Sequence, residues 1–485
     1  MTNSLLEDRR TPWIVGAFTI VLFLVANLPW QLDDYDQAKQ AFTSFEMIKE
    51  GRWFYQQTPH GHVATKPPLI GWISAGLFEL TRSWDLAWRL PSFLAAIAIS
   101  ILLFRAAVMA YGSVAALIAL SAFGLNLLSP RLATLVRTDM PLTLVIFLIG
   151  LLIWQKVRRG EPWNKHNCLL VFVLLTGAML IKGPIVWAFL LPGIGIFEWR
   201  RRSNNAPSAW CGWWPWVASL SVFLLWVVGG IVFQPGFFDE VVVREFVGRF
   251  GETIHRSQPI YFYLPHLLHK FLAWSALIIA IAILDLRSLG WKIRAAFREI
   301  SPETFWLLCW SLGGLLAMSL IPSKRVDRIF PVLPPICLLL ASQISNRTFS
   351  ERLRACLYRW SAIALVLSIL VTGGYTISKV VSGYRNHRDA LVVFGRNVRH
   401  EVELRHWRYE VVSAKDEGLL LYLRKTHFIV PDRAVAEWNT GNLDALVVSA
   451  AKAPSLMREL HDAVLSQTKS NERKNERTDY VLISR

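Results

Sequence analysis

Repeated apolar runs of membrane-spanning length are the feature that most restricts the fold of this chain. A helix that crosses a bilayer needs about 20 mainly apolar residues. Eleven runs approach that length, near residues 13–30, 88–108, 113–130, 139–156, 167–183, 184–198, 213–233, 265–286, 304–321, 329–345 and 360–380. Only 18% of the residues are charged, against roughly a quarter in soluble domains. The sequence therefore predicts an all-α polytopic membrane protein and excludes the soluble, fibrous and disordered classes.

Arginine clusters in the loops set the predicted orientation. With eleven spans and the N-terminus inside, the clusters at 158–159, 200–202, 287–298 and 347–359 all face the cytoplasm, as the positive-inside rule requires. The apolar run at 67–80 is too short to span and is predicted to lie on the membrane. Most of the formal net charge of +17 is then explained by topology and does not indicate nucleic-acid binding.

Two domains are predicted. Residues 1–380 form the transmembrane domain, with 31–87 as a first outer loop that carries interfacial helices. Residues 381–485 change to mixed charge and form a small soluble α/β domain on the outer side. In it RYEVVSA, HFIV, LDALVVSA and DYVLISR are expected to be strands, and DEGLLLYLRK and SLMRELHDAVL helices. The five cysteines show neither a disulfide framework nor metal-site spacing.

Basic residues on the predicted outer side break the positive-inside trend. Such residues indicate binding of an anionic group at headgroup depth, and the alternative is headgroup anchoring by their long side chains. They are Lys39, Lys66, Arg131, Arg137, Lys182, Arg244, Arg249, Lys324 and Arg325.

Carboxylates also lie at the predicted outer edge of the membrane. Asp33, Asp34 and Asp36 directly follow the first span, and Asp139 begins a later one. A carboxylate there can act as a general base on an incoming hydroxyl or hold a cation. The alternatives are solvated loop aspartates and, for Asp139, a helix cap.

The outer loop between Phe237 and Pro265 combines charged and aromatic side chains. Such a mixture suits recognition of a polyol or phosphate, and aromatics at this depth also form plain interfacial belts. The loop contains Arg244, Glu245, Arg249, His255, Tyr261 and Tyr263.

The order of these motifs resembles the membrane glycosyltransferases of the GT-C superfamily, in the branch of the protein O-mannosyltransferases and the lipid A aminoarabinose transferase. The resemblance covers about residues 10–345 and includes an HxxPxxYY-like loop around His255–Tyr263. The other motifs, in order, are Asp36, Lys66-Pro67-Pro68, Arg137-Thr138-Asp139-Met140, Lys182-Gly183-Pro184 and Ser323-Lys324-Arg325.

The resemblance implies inverting transfer of a sugar from a polyprenyl-phosphate carrier to a lipid, glycan or protein acceptor at the outer face. Asp36 would be the general base and Asp139 would assist or orient it. The donor phosphate would be bound by Lys66, Arg137, Lys182, Arg249, Lys324 and Arg325. Other substrate contacts would come from Lys39, His255, Tyr261 and Tyr263.

Two positions depart from the family pattern. Gln37 replaces the acidic residue that follows the catalytic aspartate, and Thr65 replaces the glutamate before the KP motif of the aminoarabinose transferases. Because Thr65 takes the place of an expected zinc ligand, the sequence predicts no metal site. It identifies no cofactor and disfavours a bound divalent cation.

The expected location is a bacterial inner membrane, with the active site and the C-terminal domain in the periplasm. Two other functions fit the sequence less well. A transporter or lipid flippase would carry ionisable groups near the membrane midplane, whereas here they crowd the outer ends of the spans. A glycan ligase or polymerase would use the same carrier and differ only in the product.

Overall fold

The computed structural model describes residues 6–32, 35–201, 207–246, 248, 258–288, 300–345, 351–414, 416–467 and 480–485. Most of the described chain is helical. The principal helices are Thr11–Val25, Tyr35–Glu50, Leu69–Thr81, Trp84–Tyr111, Ser113–Gly124, Ser129–Ala133, Asp139–Arg159, Lys165–Lys182, Val186–Arg201, Trp214–Phe233, Tyr263–Phe271, Ala273–Ser288, Pro302–Leu320, Leu333–Ile344, Glu351–Arg385, Ala390–Arg405, Glu417–Leu423, Pro431–Asn439 and Ala453–Leu456. A π-helical turn at Phe238–Phe246 and 3₁₀ turns at Ile260–Phe262 and Val326–Val332 complete the helical part.

Each of the eleven predicted spans overlaps one helix or two consecutive helical segments. By length and composition, seven helical segments in the described ranges can cross a membrane, and a pair bent by 109° at Leu272 can supply an eighth. Helices Thr11–Val25, Ser113–Gly124 and Val186–Arg201 have 15, 12 and 16 residues and are shorter than a full crossing. The chain is therefore polytopic, and the number of eleven crossings stays a prediction.

Two compact units divide the chain. The first comprises Met1–Ala26, Thr65–Leu69 and Arg89–Ile377, and the second Asn27–Ala64, Ile70–Trp88 and Ser378–Arg485. The later boundary falls close to the predicted division at residue 380. Most of the first outer loop, which was predicted as part of the transmembrane domain, clusters instead with the C-terminal residues.

Glycines allow the closest helix packing in the first unit. Helix Val186–Arg201 packs against Pro302–Leu320 where Gly193 meets Gly313. A Cβ atom on Gly313 would lie 2.6 Å from the backbone nitrogen of Gly193, so only glycine permits this approach. Small residues at helix crossings are typical of membrane bundles, where van der Waals packing drives association.

An amphipathic helix from the first outer loop forms part of the core of the second unit. The helical spacing of Ala38, Phe42, Phe45 and Ile48 predicts that they share one face of this helix, Tyr35–Glu50. The first three are at most 3% exposed, whereas Ile48, near the end of the helix, is half-buried. Burial of each large apolar side chain contributes about 1.5–3 kcal/mol. The helix packs on Glu417–Leu423, and the Leu32 backbone N–H donates a hydrogen bond to the Tyr422 hydroxyl at 2.7 Å.

A four-stranded sheet completes the second unit. Its strands are β1 (Tyr409–Val411), β2 (Ala445–Ser449), β3 (Val464–Gln467) and β4 (Tyr480–Ser484), in the order β1-β2-β4-β3. β1 pairs with β2 in parallel, while β4 runs antiparallel to both β2 and β3. The apolar residues of β2 and β4 are buried on both faces, as expected for the two central strands.

Two predicted elements of this domain differ from the structure. HFIV was expected to be a strand, but only an isolated bridge joins Val412 to Ile429, and Pro431 directly starts a helix. SLMRELHDAVL was expected to be one helix, but helix Ala453–Leu456 ends early and Val464 begins β3. Pairing with β4 outweighs helix propensity in the second half of that segment.

Candidate functional site

A buried ion pair lies at the junction of two helices in the first unit. Asp139 is the first residue of helix Asp139–Arg159, and Lys182 is the last of Lys165–Lys182. The Lys182 Nζ is 2.5 Å from Asp139 Oδ1, and both side chains are about nine-tenths buried. Gly183 follows with φ +77°, a conformation that glycine adopts without strain. The two motifs, which are 43 residues apart in the chain, are thus in direct contact. Thr138, and not Asp139, occupies the helix N-cap position.

A second buried ion pair lies beside the first. Arg137 Nη1 is 2.6 Å from Asp327 Oδ2, and each side chain is 8% exposed. Arg131 Nη1 approaches the other oxygen of Asp327 at 4.0 Å. The Ser92 hydroxyl donates to the carbonyls of Leu135 and Arg137 and so fixes the loop that carries the arginine.

The loop at 322–328 adds further positive charge to this cluster. Arg325 and Arg137 lie close enough to Asp139 to act on its charge. Lys324 Nζ donates to the Gln258 carbonyl at 2.9 Å, and burial lowers the pKa of Lys324. Tyr263 is fully buried and has Asp139 among its electrostatic neighbours.

The Lys66 segment lies in the same unit. Thr65 donates a hydrogen bond from Oγ1 to Glu245 Oε1 at 2.9 Å, and the adjacent Lys66 is half-buried. A carboxylate therefore stands next to the position where the family pattern expects one, although it comes from another segment of the chain.

Asp36 and Lys39 belong to the second unit. Both lie in the first turns of helix Tyr35–Glu50 and are half-buried. The Lys39 ammonium lies 5.9 Å from the Tyr35 ring centroid and within electrostatic range of Glu417. Burial raises the pKa of Glu417, and the positive charge of Lys39 opposes that rise.

Some predicted site residues either fall outside the described residues or lie on the surface. Arg249, His255, Asp33 and Asp34 fall outside the described residues. Tyr261 is 69% exposed in the 3₁₀ turn Ile260–Phe262. Tyr263, two residues later, is by contrast fully buried.

The described part of the chain contains no group of three or more His, Cys, Asp or Glu side chains suited to a metal ion. The first outer loop contains two histidines, His60 and His62. His60 stacks on Phe428 with ring centroids 5.1 Å apart.

Sequence reasoning missed one residue of the cluster, Asp327. The sequence feature that could have identified Asp327 is a carboxylate at the start of an apolar run, because such a charge is costly without a cationic partner. Counted over the described residues, Arg131, Arg137, Lys182 and Arg325 surround two carboxylates, Asp139 and Asp327. The excess of positive charge at converging helix ends suits an anionic substrate group such as a phosphate.

Comparisons with known proteins agree with this chemistry. A family model described as dolichyl-phosphate-mannose-protein mannosyltransferase matches residues 65–226. An undecaprenyl phosphate-alpha-4-amino-4-deoxy-L-arabinose arabinosyl transferase 1 from Sodalis glossinidius is 25% identical over 387 residues, which are 74% of this chain and 64% of that protein. The corresponding transferase from Pectobacterium atrosepticum is 25% identical over 356 residues, 71% of this chain and 61% of that one. The matched region therefore spans a little under two thirds of these relatives.

A solved structure shows the same fold over nearly the whole chain. ArnT from Cupriavidus metallidurans, in a crystal structure with bound undecaprenyl phosphate, superposes with a TM-score of 0.68 at 17% identity. The match covers 97% of each chain. The predicted fold class, a helical polytopic membrane domain with a small C-terminal α/β domain, is confirmed.

Proposed function

We propose that this chain, a GT-C superfamily protein of the aminoarabinose-transferase-like branch as its motifs and comparisons indicate, is an inverting glycosyltransferase. It moves a sugar from a polyprenyl-phosphate carrier to a lipid, glycan or protein acceptor. The observation that carries the proposal is the cluster of cations around Asp139 and Asp327 at the ends of membrane helices. We place this reaction at the periplasmic face of a bacterial inner membrane, on the side opposite to the basic loops.

The reaction needs a base and a stabilised leaving group. Asp36 accepts the proton of the acceptor hydroxyl. The acceptor oxygen attacks the anomeric carbon from the side opposite the phosphate, and the bond from that carbon to the phosphate oxygen breaks. The electron pair leaves with the lipid phosphate, and the configuration at the anomeric carbon inverts.

The basic residues stabilise the phosphate in two ways. Lys182 and Arg137 are already ion-paired with carboxylates, so they supply a fixed electrostatic field and hold Asp139 in place to orient the reactants. We assign direct phosphate contact to Lys66, Lys324 and Arg325, and place Arg249 with them. Charge-assisted hydrogen bonds to the departing phosphate strengthen as its charge develops. Lys39, His255, Tyr261 and Tyr263 remain candidates for contacts to the sugar or acceptor.

Asp36→Asn is the decisive variant. Loss of the base is expected to lower transfer at least about 100-fold, in the range for general-base catalysis. Asp432→Asn is the matched control, because Asp432 is also a first-turn helix carboxylate of the second unit and is exposed. Envelope glycolipids and glycans from cells lacking the gene, complemented with each variant, are compared by mass spectrometry.

A mass shift of one sugar, restored by wild type and Asp432→Asn but not by Asp36→Asn, supports the proposal. Wild-type transfer by a folded Asp36→Asn protein contradicts the assigned base. A shift equal to a preassembled glycan identifies a ligase instead, and altered solute or lipid movement without any glycan change identifies a transporter.

A further inference from the structure

The second unit contains a cavity that the proposed sugar transfer does not use. It has a volume of about 40 Å³, opens to solvent, and lies between helix Ala390–Arg405, the end of helix Glu417–Leu423 and residues 84–88. Its walls include three arginines, Arg396, Arg399 and Arg424. All of these segments belong to one compact unit.

The charge of the cavity wall is unbalanced. Asp85 is the one carboxylate among the lining residues, against the three guanidinium groups. Three positive charges and one negative charge leave a formal charge of +2. A phosphate monoester near neutral pH carries a charge between about −1.5 and −2, which matches this excess.

Arg424 is held in this cavity at an energetic cost. It follows the last turn of helix Glu417–Leu423 with φ +59°, a conformation unfavourable for side chains other than glycine. Burial, together with repulsion from Arg399, lowers the pKa of Arg424 to about 10, and Asp85 opposes that shift. Within the described ranges, its buried Nη1 has no hydrogen-bond partner. A donor buried in this way favours a ligand that can accept from it.

The aromatic wall of the cavity is fixed before any ligand arrives. Trp84 stacks on Phe78 with ring centroids 3.9 Å apart and also on Trp88. The Trp88 indole N–H donates to the Ser44 hydroxyl at 3.1 Å. A preformed wall lowers the entropic cost of binding.

We propose that this cavity binds a phosphate monoester through the guanidinium groups of Arg396, Arg399 and Arg424. Arginine presents a planar fork of donors that matches phosphate oxygens. Arg396 is exposed and Arg399 is half-buried, so a ligand can enter the cavity from this side. The inference stands independently of sugar transfer, because none of these residues has a role in the proposed reaction.

Phosphate binding to the full-length protein in detergent tests this site. Inorganic phosphate is titrated calorimetrically into wild type, Arg399→Gln and Arg424→Lys, each checked for a cooperative thermal transition. The matched control is Arg405→Gln, because Arg405 lies on the same helix, is paired with Glu401 and is outside the cavity. The titrations use a Lys66→Met background, which removes a phosphate ligand of the proposed donor site.

Binding in the Lys66→Met background that weakens about tenfold or more in Arg399→Gln, and stays unchanged in Arg405→Gln, supports the proposal. Arg424→Lys retains the positive charge but lacks the planar guanidinium group, so its phosphate affinity is expected to lie between those of wild type and Arg399→Gln. Equal binding in Arg399→Gln and Arg405→Gln, or an absence of binding to the Lys66→Met protein, overturns it.

A competition experiment distinguishes a lipid headgroup from a soluble phosphate monoester as the ligand. Phosphatidic acid carries a phosphate monoester, so nanodiscs of phosphatidylcholine with and without phosphatidic acid are compared. Reduced binding of inorganic phosphate in the phosphatidic acid nanodiscs assigns the site to a lipid headgroup. Unchanged binding in both assigns it to a soluble phosphate monoester.

Discussion

At the scale of single residues, the candidate site depends on buried charges that neutralise one another. Asp139 with Lys182 and Asp327 with Arg137 form pairs whose side chains are about nine-tenths buried. Pairing offsets the cost of removing such charges from water, and loss of one partner typically costs 3–5 kcal/mol. The motifs identified three of these four residues. Asp327 was missed because no motif includes it, and only the fold brings it to Arg137.

Glu46 gives the second unit a predicted dependence on pH. Its side chain is 3% exposed and accepts hydrogen bonds from Arg52 Nη1 at 2.8 Å and from the Gln57 backbone N–H at 2.5 Å. Burial outweighs these partners and raises the pKa of Glu46 to about 7. The folded chain then binds more protons than the unfolded chain between about pH 4.5 and pH 7, so rising pH removes stability across that window.

Glu46→Gln should abolish this dependence. As the pH rises from about 4.5 to 7, the free energy of unfolding of the wild type is expected to fall by roughly 1–3 kcal/mol relative to that of Glu46→Gln. The glutamine variant has no ionisable group at this position. Thermal unfolding in detergent across this window measures the difference. Glu79→Gln is the control, because Glu79 lies in the same unit and its side chain is half-exposed. Parallel pH profiles for wild type and Glu46→Gln would contradict the prediction.

At the scale of elements, the contact between Gly193 and Gly313 determines how closely two helices of the first unit pack. Gly313→Ala is expected to destabilise the protein by about 1–3 kcal/mol, because the new methyl group would meet the Gly193 backbone and force the helices apart. Gly195→Ala is the control on the same helix as Gly193, since its Cβ would meet nothing within 4 Å. Helix propensity predicts that this control is neutral or slightly stabilising. Thermal unfolding in detergent distinguishes the two variants, and equal transitions would contradict the prediction.

Helices were predicted from sequence better than the small sheet. A run of about 20 apolar residues and an amphipathic period each specify a helix locally, which is why the eleven apolar runs and helix Tyr35–Glu50 were found. Strand β3 was placed inside a helix because its pairing with β4 is not local. Ile429 forms only an isolated bridge because Pro431 starts a helix two residues later. Neither outcome is encoded in the local pattern.

At the scale of the whole molecule, the second unit is assembled from distant parts of the chain. The Thr426 hydroxyl donates to Glu50 at 2.6 Å, and the Leu391 backbone N–H donates to Gln31 at 3.1 Å. Together with the Tyr422 contact, these bonds fasten the first outer loop to the C-terminal residues. The sequence predicted the loop and the domain separately, because no local pattern reports a contact between them.

Removal of residues 387–485 is therefore expected to expose helix Tyr35–Glu50. Limited trypsin digestion in detergent should cut at Lys39 and Lys49 at least about tenfold faster, because the buried face of the helix loses its partners. Cleavage at Arg158–Arg159, in the first unit, is the internal standard. Tyr422→Phe removes a single hydrogen-bond acceptor and should change the rate much less. Unchanged cleavage at Lys39 and Lys49 in the truncated chain would contradict the assignment.

The hydrogen bond between Leu32 and Tyr422 forms only after most of the chain has been synthesised. The two residues are 390 positions apart, and chains elongate at about 5–20 residues per second. Roughly 20 to 80 s therefore pass between the synthesis of the first outer loop and the arrival of its partner. Throughout that interval the apolar face of helix Tyr35–Glu50 needs temporary cover, from the lipid surface or from a chaperone.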